Sequence, residues 1–342
     1  MDGLVVDVVR APPPPVLAPV VDLVDRVSAA LGHAALSEHK RDELDRWNRP
    51  AGGAASTDRS SSAIGVVART TDGPGALLGY AHLSGDGRSS EFAVELVVPG
   101  GVDGGVPDPA QDRVVADALL DTVERLVSER GGGLLRLWAA LAGETDDATA
   151  SAHGFSQERD LLQMRCPLPL PALQGPLFGG ASTELRPFRP GQDEEAWLVA
   201  NNRAFVGHPE QGHWALETLL DREQEPWFDP AGFLVLEVAG RLAGSCWTKV
   251  HADVDPPMGE IYVISVDPDF HGRGWGRALT RAGLDWLGGT GLTVGMLYVD
   301  GANAAAVSLY RSMGFTVDHV DRAYVKSVAA APLIDPRDAL TP

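Results

Sequence analysis

Between Val263 and Gly276 the chain reads Val-Ile-Ser-Val-Asp-Pro-Asp-Phe-His-Gly-Arg-Gly-Trp-Gly, and a helical run follows from Arg277 to Leu287. An apolar strand pattern thus enters a glycine-rich turn and leaves it as a helix. Glycines at 272, 274 and 276 let the backbone come close to a ligand and expose several N–H groups at a helix N-terminus. Together these make an anion site that a pyrophosphate would fit. Three other readings compete. The Rossmann fingerprint is GxGxxG, whereas this is GxGxG, and no following βα unit supports an acidic ribose partner about 20 residues on. The Walker loop needs a Gly-Lys-Ser/Thr ending that is absent. A tight turn with incidental glycines is the plain structural alternative.

The elements that must hold this loop recur along the chain. Residues 1–20 are rich in proline and are expected to be partly extended. Helical apolar spacing follows over Val21–Leu31 and Glu38–Trp47, and the Gly/Ser/Ala stretch Ala51–Ser62 reads as a mobile loop. Strands are expected at Ile64–Arg69, Ala76–Leu83 and Phe92–Val98, then a helix at Arg113–Glu129, a strand at Leu134–Ala139, a helix from Ala148 to His153 and a last strand at Leu161–Cys166. Pro167–Gly180 carries four prolines and three glycines and suits neither a helix nor a sheet interior, so it is the linker.

From about Thr183 the order repeats. Helices are expected near Asp193–Phe205 and Trp214–Asp221, and strands at Phe233–Val238 and Leu242–Val250. Leu78-Gly79-Tyr80 corresponds to Ala243-Gly244-Ser245, Glu95–Val98 to the region of Ile264–Val266, and Gly154-Phe155 to Gly314-Phe315. The fold class is therefore α/β with a mixed α+β sheet, in two tandem copies: 1–166, a linker at 167–182, 183–326, and a tail at 327–342.

Composition narrows the function classes. The 342 residues carry a net charge of −19 with 44% hydrophobic residues, and no Lys/Arg cluster is large enough to neutralise phosphates, so nucleic acid is not expected as a partner. Nothing reads as membrane-embedded. The Pro12–Pro15 run would break a signal helix, and only Cys166 and Cys246 are present, each in an apolar strand-like segment. A cytoplasmic protein with no disulfide framework is expected. His208, His213 and His251 have no coherent metal spacing, so no metal is expected and they read as loop or site-edge histidines. The sequence is silent on oligomeric state; a monomer is the working expectation.

Downstream of the loop lie Asn303, Ala306, Leu309, Tyr310 and Gly314-Phe315. With the Val-Asp-Pro strand and GxGxG turn, this set resembles the GNAT acetyltransferase superfamily, which would make each copy a GNAT domain with acetyl-CoA as co-substrate. The resemblance implies that Ile264, Ser265 and Val266 lie along pantetheine. It implies that His271, Gly272, Arg273, Gly274, Trp275, Gly276 and Arg277 hold the pyrophosphate. Asn303, Ala304, Ala305, Ala306, Val307 and Ser308 would line the same ligand. The matching stretch of the first half, Val98–Gly105, is glycine-rich but lacks Arg and Lys and carries Asp103, with Asp108 and Asp112 beyond it. Carboxylates disfavour a diphosphate, so the first copy is expected to be mainly structural, with weak or non-productive cofactor binding as the alternative.

Four further segments, Asn201–Gly212, Trp227–Pro230, Cys246–His251 and Gly259–Val263, resemble the mycothiol synthase family within that superfamily. That family acetylates the cysteinyl amine of a glucosaminyl-inositol precursor. An α-amino group has a pKa of about 8, so only modest base assistance is needed. Glu260, just upstream of the cofactor strand, is the candidate base, directly or through one water. Tyr310 is the candidate acid for the departing thiolate, and a backbone N–H near Val266 would polarise the thioester carbonyl. Glu38, Glu210, Lys249, Glu260 and Tyr298 are the expected acceptor-binding residues. Two alternatives stay open: acetylation of another small amine or a peptide N-terminus, and a CoA-binding module without turnover. Retention of both Glu260 and Tyr310 argues against the module.

Overall fold

A ten-element order, β-α-α-β-β-β-α-β-α-β, occurs twice in the computed structural model. The structure describes residues 3–9, 14–48, 63–71, 76–85, 90–100, 108–172, 175–179, 182–206, 212, 214–252 and 254–332. The first copy comprises β1 (Leu4–Val9), α1 (Pro14–Leu31), α2 (Glu38–Asn48), β2 (Ile64–Thr70), β3 (Leu77–Gly85), β4 (Glu91–Val97), α3 (Pro109–Glu129), β5 (Gly133–Ala139), α4 (Glu144–Ala152) and β6 (Ser156–Pro167). The second comprises β7 (Thr183–Pro187), α5 (Glu194–Ala204), α6 (Leu216–Glu223), β8 (Phe233–Val238), β9 (Arg241–His251), β10 (Met258–Val266), α7 (Trp275–Gly289), β11 (Val294–Asp300), α8 (Ala304–Ser312) and β12 (Thr316–Val328). No described helix is long and apolar enough to cross a membrane.

The compact units do not follow chain order. One unit is Met1–Leu161 with Val320–Pro342, and the other is Leu162–His319. In the first unit the strand order is β1-β2-β3-β4-β5-β12, with Arg322–Val328 antiparallel to Ala139–Gly133. In the second it is β6-β11-β10-β9-β8-β7. Each sheet is thus completed by the last strand of the other copy. The sequence reading of 1–166 and 183–326 follows the chain, whereas the units exchange two strand halves.

Within each unit the sheet is covered on both faces, as a mixed α/β sheet with buried strands requires. In the first, α3 packs through Val115, Leu119, Leu120 and Val123 on one face, and α1 packs through Leu17, Leu23 and Val24 on the other. In the second, α7 covers Cys246 and Ile261, while α5 sets Trp197 against Phe233 and Trp247. Close helix approach explains the paired glycines. A Cβ at Gly79 would lie 2.7 Å from Val115, and one at Gly244 would lie 2.9 Å from Leu279.

Two expectations are corrected. Residues 1–20 are not simply extended: strand β1 is followed by a helix that starts at Pro14, because proline tolerates the first turn where its missing N–H is no loss. Strand β7 has no counterpart in the sequence reading, since Thr-Glu-Leu-Arg-Pro is a short, polar edge strand. Ala51–Ser62 lies outside the described residues.

Candidate active site

Strands β9 and β10 form an antiparallel pair in which Lys249 lies opposite Glu260 and His251 opposite Met258. Their register shifts between Ile261 and Val263, so Tyr262 is an extra residue on β10. A bulge of this kind bends the strand and ends pairing on its far side. The effect is visible next door. β10 pairs in parallel with β11 only over Met258–Glu260 and Val294–Met296, although both strands run on. In the first unit β3 and β4 pair without a shift and β4 stays paired with β5 over five positions.

Beyond the bulge the ladder parity identifies which backbone groups face the gap. Asp267 N–H donates to Ala243 C=O at 2.9 Å, so Val263, Ser265 and Asp267 form the hydrogen-bonded pairs with β9. Ile264 and Val266 therefore direct their backbone polar groups away from β9, toward β11. The Val266 carbonyl takes a bond from His271 Nε2 at 2.9 Å. Ser265 instead spends its backbone in the β9 ladder and its hydroxyl on Ser245, 3.2 Å away and itself bonded by Trp197 Nε1. Of the three strand residues expected to line the cofactor, two face the gap.

The loop after β10 is rigidly based. The Asp267 carboxylate accepts from Asp269 N–H at 3.0 Å and pairs with Arg203 at 3.1 Å. Arg241, bonded at 2.9 Å, and then Arg203 hold the exposed Asp269 carboxyl below the usual range. Gly272 and Gly274 have φ of +76° and +75°, a left-handed backbone that suits glycine. Gly274 is the N-cap of α7 and offers no side chain to the first-turn N–H groups. With no acidic residue in that turn, the helix end keeps its partial positive charge for an anion. Arg273 lies over the rings of Phe270 and Trp275, 5.5 and 5.1 Å to the centroids, and Arg277 bonds the Ser312 hydroxyl. His271, Arg273 and Arg277 are exposed, whereas Trp275 is buried in the core. The first unit differs here too. At the start of α3, Asp108 accepts from Ala110 and Gln111 N–H at 3.1 Å each, so a carboxylate already fills the anion position. Residues 101–107 lie outside the described residues.

Asn303 caps α8, its side-chain oxygen accepting from Ala306 N–H at 3.1 Å. Ala304, Ala305 and Ser308 are exposed, Ala306 is half-buried and Val307 is in the core. Tyr310, on the same helix, is buried against Phe315 with ring centroids 5.7 Å apart. Its hydroxyl makes no hydrogen bond among the described residues, and burial pushes its pKa up to about 12.

Glu260 is 7% exposed and bonds through Oε2 to His251 Nε2 at 2.7 Å. Lys249, also buried, places Nζ 4.6 Å from the Trp227 ring centroid and 5.6 Å from that of Tyr262, an aromatic seat for a cation. Tyr298 lies two residues past Met296, the partner of Glu260, and so shares its face of the sheet. Glu38 is an exposed first-turn residue of α2, and Glu210, with His208 and His213, lies outside the described residues. His251 was read only as a site-edge histidine; the β9–β10 hairpin register, which sets 249 against 260, was the available signal. By the same register, with Gly79 matched to Gly244, the place of Glu260 in the first unit is Ala93.

The description "Acetyltransferase (GNAT) family" fits residues 192–315. Over most of its length the chain is similar to mycothiol acetyltransferases. That of Geodermatophilus obscurus is 42% identical over 93% of this chain and 96% of its own. That of Thermobispora bispora is 49% identical over 72% and 79% respectively. A solved tandem GNAT protein from the clavulanic acid biosynthesis pathway superposes with a TM-score of 0.64 over 96% of this chain and 99% of its own; at 15% identity that likeness concerns the fold alone.

Proposed function

The chain belongs to the mycothiol acetyltransferase family, with two tandem GNAT domains, and from that premise we propose that the second unit carries out the transfer with Glu260 as base and Tyr310 as acid. The reaction moves acetyl from acetyl-CoA to the cysteinyl amine of desacetylmycothiol, giving mycothiol and CoA. The observation that carries the residue assignment is the parting of β10 from β11 just past Glu260, next to a helix N-terminus left uncapped by Gly274. Ile264 and Val266 would offer backbone groups to the pantetheine amides, and the Gly272–Arg277 turn its N–H groups to the pyrophosphate.

The residues then divide the proton work. His251 holds Oε2 of Glu260, which leaves Oε1 to take a proton from the acceptor ammonium, directly or through one water. The neutral amine attacks the thioester carbonyl, whose developing negative charge is met by backbone N–H near Val266. As the C–S bond breaks, Tyr310 gives its proton to the thiolate, and the second proton that the nitrogen sheds as the amide forms restores the phenol by way of solvent; a pKa near 12 keeps the phenol protonated at neutral pH between turnovers. Lys249 and Tyr298 are the residues of this unit assigned to the sugar and inositol hydroxyls. The first unit, with Ala93 in place of the base, no register shift between β3 and β4, and Asp108 capping the helix, serves as scaffold.

The test is acetyl-CoA consumption with desacetylmycothiol beside a panel of small amines and peptides. A strong preference for the cysteinyl pseudodisaccharide, lost in Glu260→Ala, supports the reading. Turnover only with other amines would discard the substrate, and CoA binding without turnover would discard the enzyme mechanism.

A further inference from the structure

The glycine-rich turn of the second unit contains carboxylates of its own. Asp267 is 3% exposed and caps the short turn Pro268–Phe270 by accepting from Asp269 N–H, so the local fold depends on it. Asp269 is exposed. Across Asp267–Arg277 these two anions offset the two arginines, Arg273 and Arg277, and the segment alone offers no net attraction to a ligand bearing several phosphate charges.

Two arginines from other elements of the unit change that balance. Arg203, near the end of α5, places Nε 3.1 Å from Asp267 Oδ2 and Nη2 3.1 Å from Asp269 Oδ1. Arg241, the first residue of β9, places Nη2 2.9 Å from Asp269 Oδ2 and its guanidinium 5.0 Å from the Phe270 ring centroid. Each carboxylate is thereby matched by a cation, whereas Arg273 and Arg277 have no carboxylate partner among the described residues; the first lies over aromatic rings and the second bonds a hydroxyl. The first unit lacks this compensation. Among its described residues neither Asp108 nor Asp112 has an ion pair, and burial, then the Asp108 charge, push the Asp112 carboxyl up. Asp269 moves the other way, held down by Arg241 and then Arg203.

We propose that Arg203 and Arg241 determine specificity for the phosphate groups of the acyl donor: by cancelling Asp267 and Asp269 they leave Arg273 and Arg277 uncompensated and make the turn attractive to a polyanion. The inference rests on acetyl-CoA binding at this turn, as read above. Arg203 and Arg241 act through the two aspartates rather than by touching the ligand, so their effect follows the charge of the donor and not its acyl group.

Arg241→Gln is the cleaner variant, because Arg241 and Asp269 are both half exposed or more, whereas Arg203→Gln would also strand the buried Asp267. By isothermal titration the Kd for acetyl-CoA should rise about fivefold at about 20 mM salt and less than about twofold at about 0.5 M, where screening is strong. The ratio of kcat/KM for acetyl-CoA to that for S-acetylpantetheine, which carries no phosphate, should fall by about the same factor, a change that a general loosening of the fold does not produce. Asp269→Asn alone should tighten acetyl-CoA about two- to threefold, and Arg241→Gln with Asp269→Asn should return to within about twofold of wild type. Weaker binding in Asp269→Asn, a double variant as weak as Arg241→Gln, or an effect that does not change with salt would overturn the proposal and leave a purely structural clasp. A wild type that binds S-acetylpantetheine as tightly as acetyl-CoA would instead overturn the assignment of the turn to phosphates, and this inference with it, before any variant is compared.

Discussion

Replacing Glu260 by Gln removes one ionisable group and little else. The amide keeps the volume of a 7%-exposed side chain and can still hydrogen-bond His251, so packing on β10 is preserved. What is lost is the proton acceptor. An α-amino group with a pKa of about 8 is roughly one-tenth neutral at pH 7 and about nine-tenths neutral at pH 9. The wild type, taking the proton itself, can use the ammonium form, whereas the variant must wait for free amine. With a general-base contribution at the low end of the usual range, kcat/KM should fall about 100-fold at pH 7, and the deficit should shrink to about tenfold at pH 9. Loss of thioester absorbance at fixed acetyl-CoA, measured for both proteins across that interval, gives the ratio directly. A deficit below about threefold at pH 7, or one that does not change with pH, would refute Glu260 as the base and leave it a positioning group.

Tyr310→Phe should lower kcat roughly a hundredfold while leaving the melting temperature nearly unchanged, since the hydroxyl has no hydrogen-bond partner among the described residues. Because burial raises this pKa to about 12, the group stays protonated below that value, and a pH–rate profile should show no alkaline limb from it up to about pH 11. In the first unit, Lys40→Met would leave Glu95, now 3.1 Å from Lys40 and accepting from Ser37 N–H at 2.7 Å, buried without a counter-ion. A cost of about 3–5 kcal/mol and a drop of roughly 10 °C on thermal unfolding are expected, with kcat at 25 °C unaffected. Burial raises the thiols of Cys166 and Cys246 to about 12, so neither should react with a thiol reagent in the native protein at pH 8, and two per chain should react after denaturation.

The parts of the site legible in the sequence are those encoded locally. The GxGxG turn with its following helix, the alternation of β9 and β10, and the Gly-Phe pair after α8 each lie within about one element and show their periodicity directly. The glycine correspondences between copies also held, because Gly79 and Gly244 both admit the helix that covers the sheet. What escaped depends on register or on distant pairing. The extra residue at Tyr262 has no signature of its own, yet it separates β10 from β11 and places Ile264 and Val266 at an open edge. His251 and Glu260 meet only because a hairpin sets 249 opposite 260. The edge strand β7 is too short and polar to announce itself, and no local rule reveals that Arg322–Val328 pairs with β5.

That last pairing bears on the order in which the protein can be made. Strand β5 ends at Ala139, but its antiparallel neighbour ends at Val328, so roughly 190 residues must be synthesised before the edge is covered, about 10–40 s at ordinary translation rates. During that interval the nascent first unit carries an unpaired strand edge, the feature most open to wrong partners. The second unit, whose last strand in the chain is β11, ending at Asp300, has all its strands roughly 30 residues sooner. The second unit is therefore able to close first, and the first is sealed only by β12, the last of the described strands.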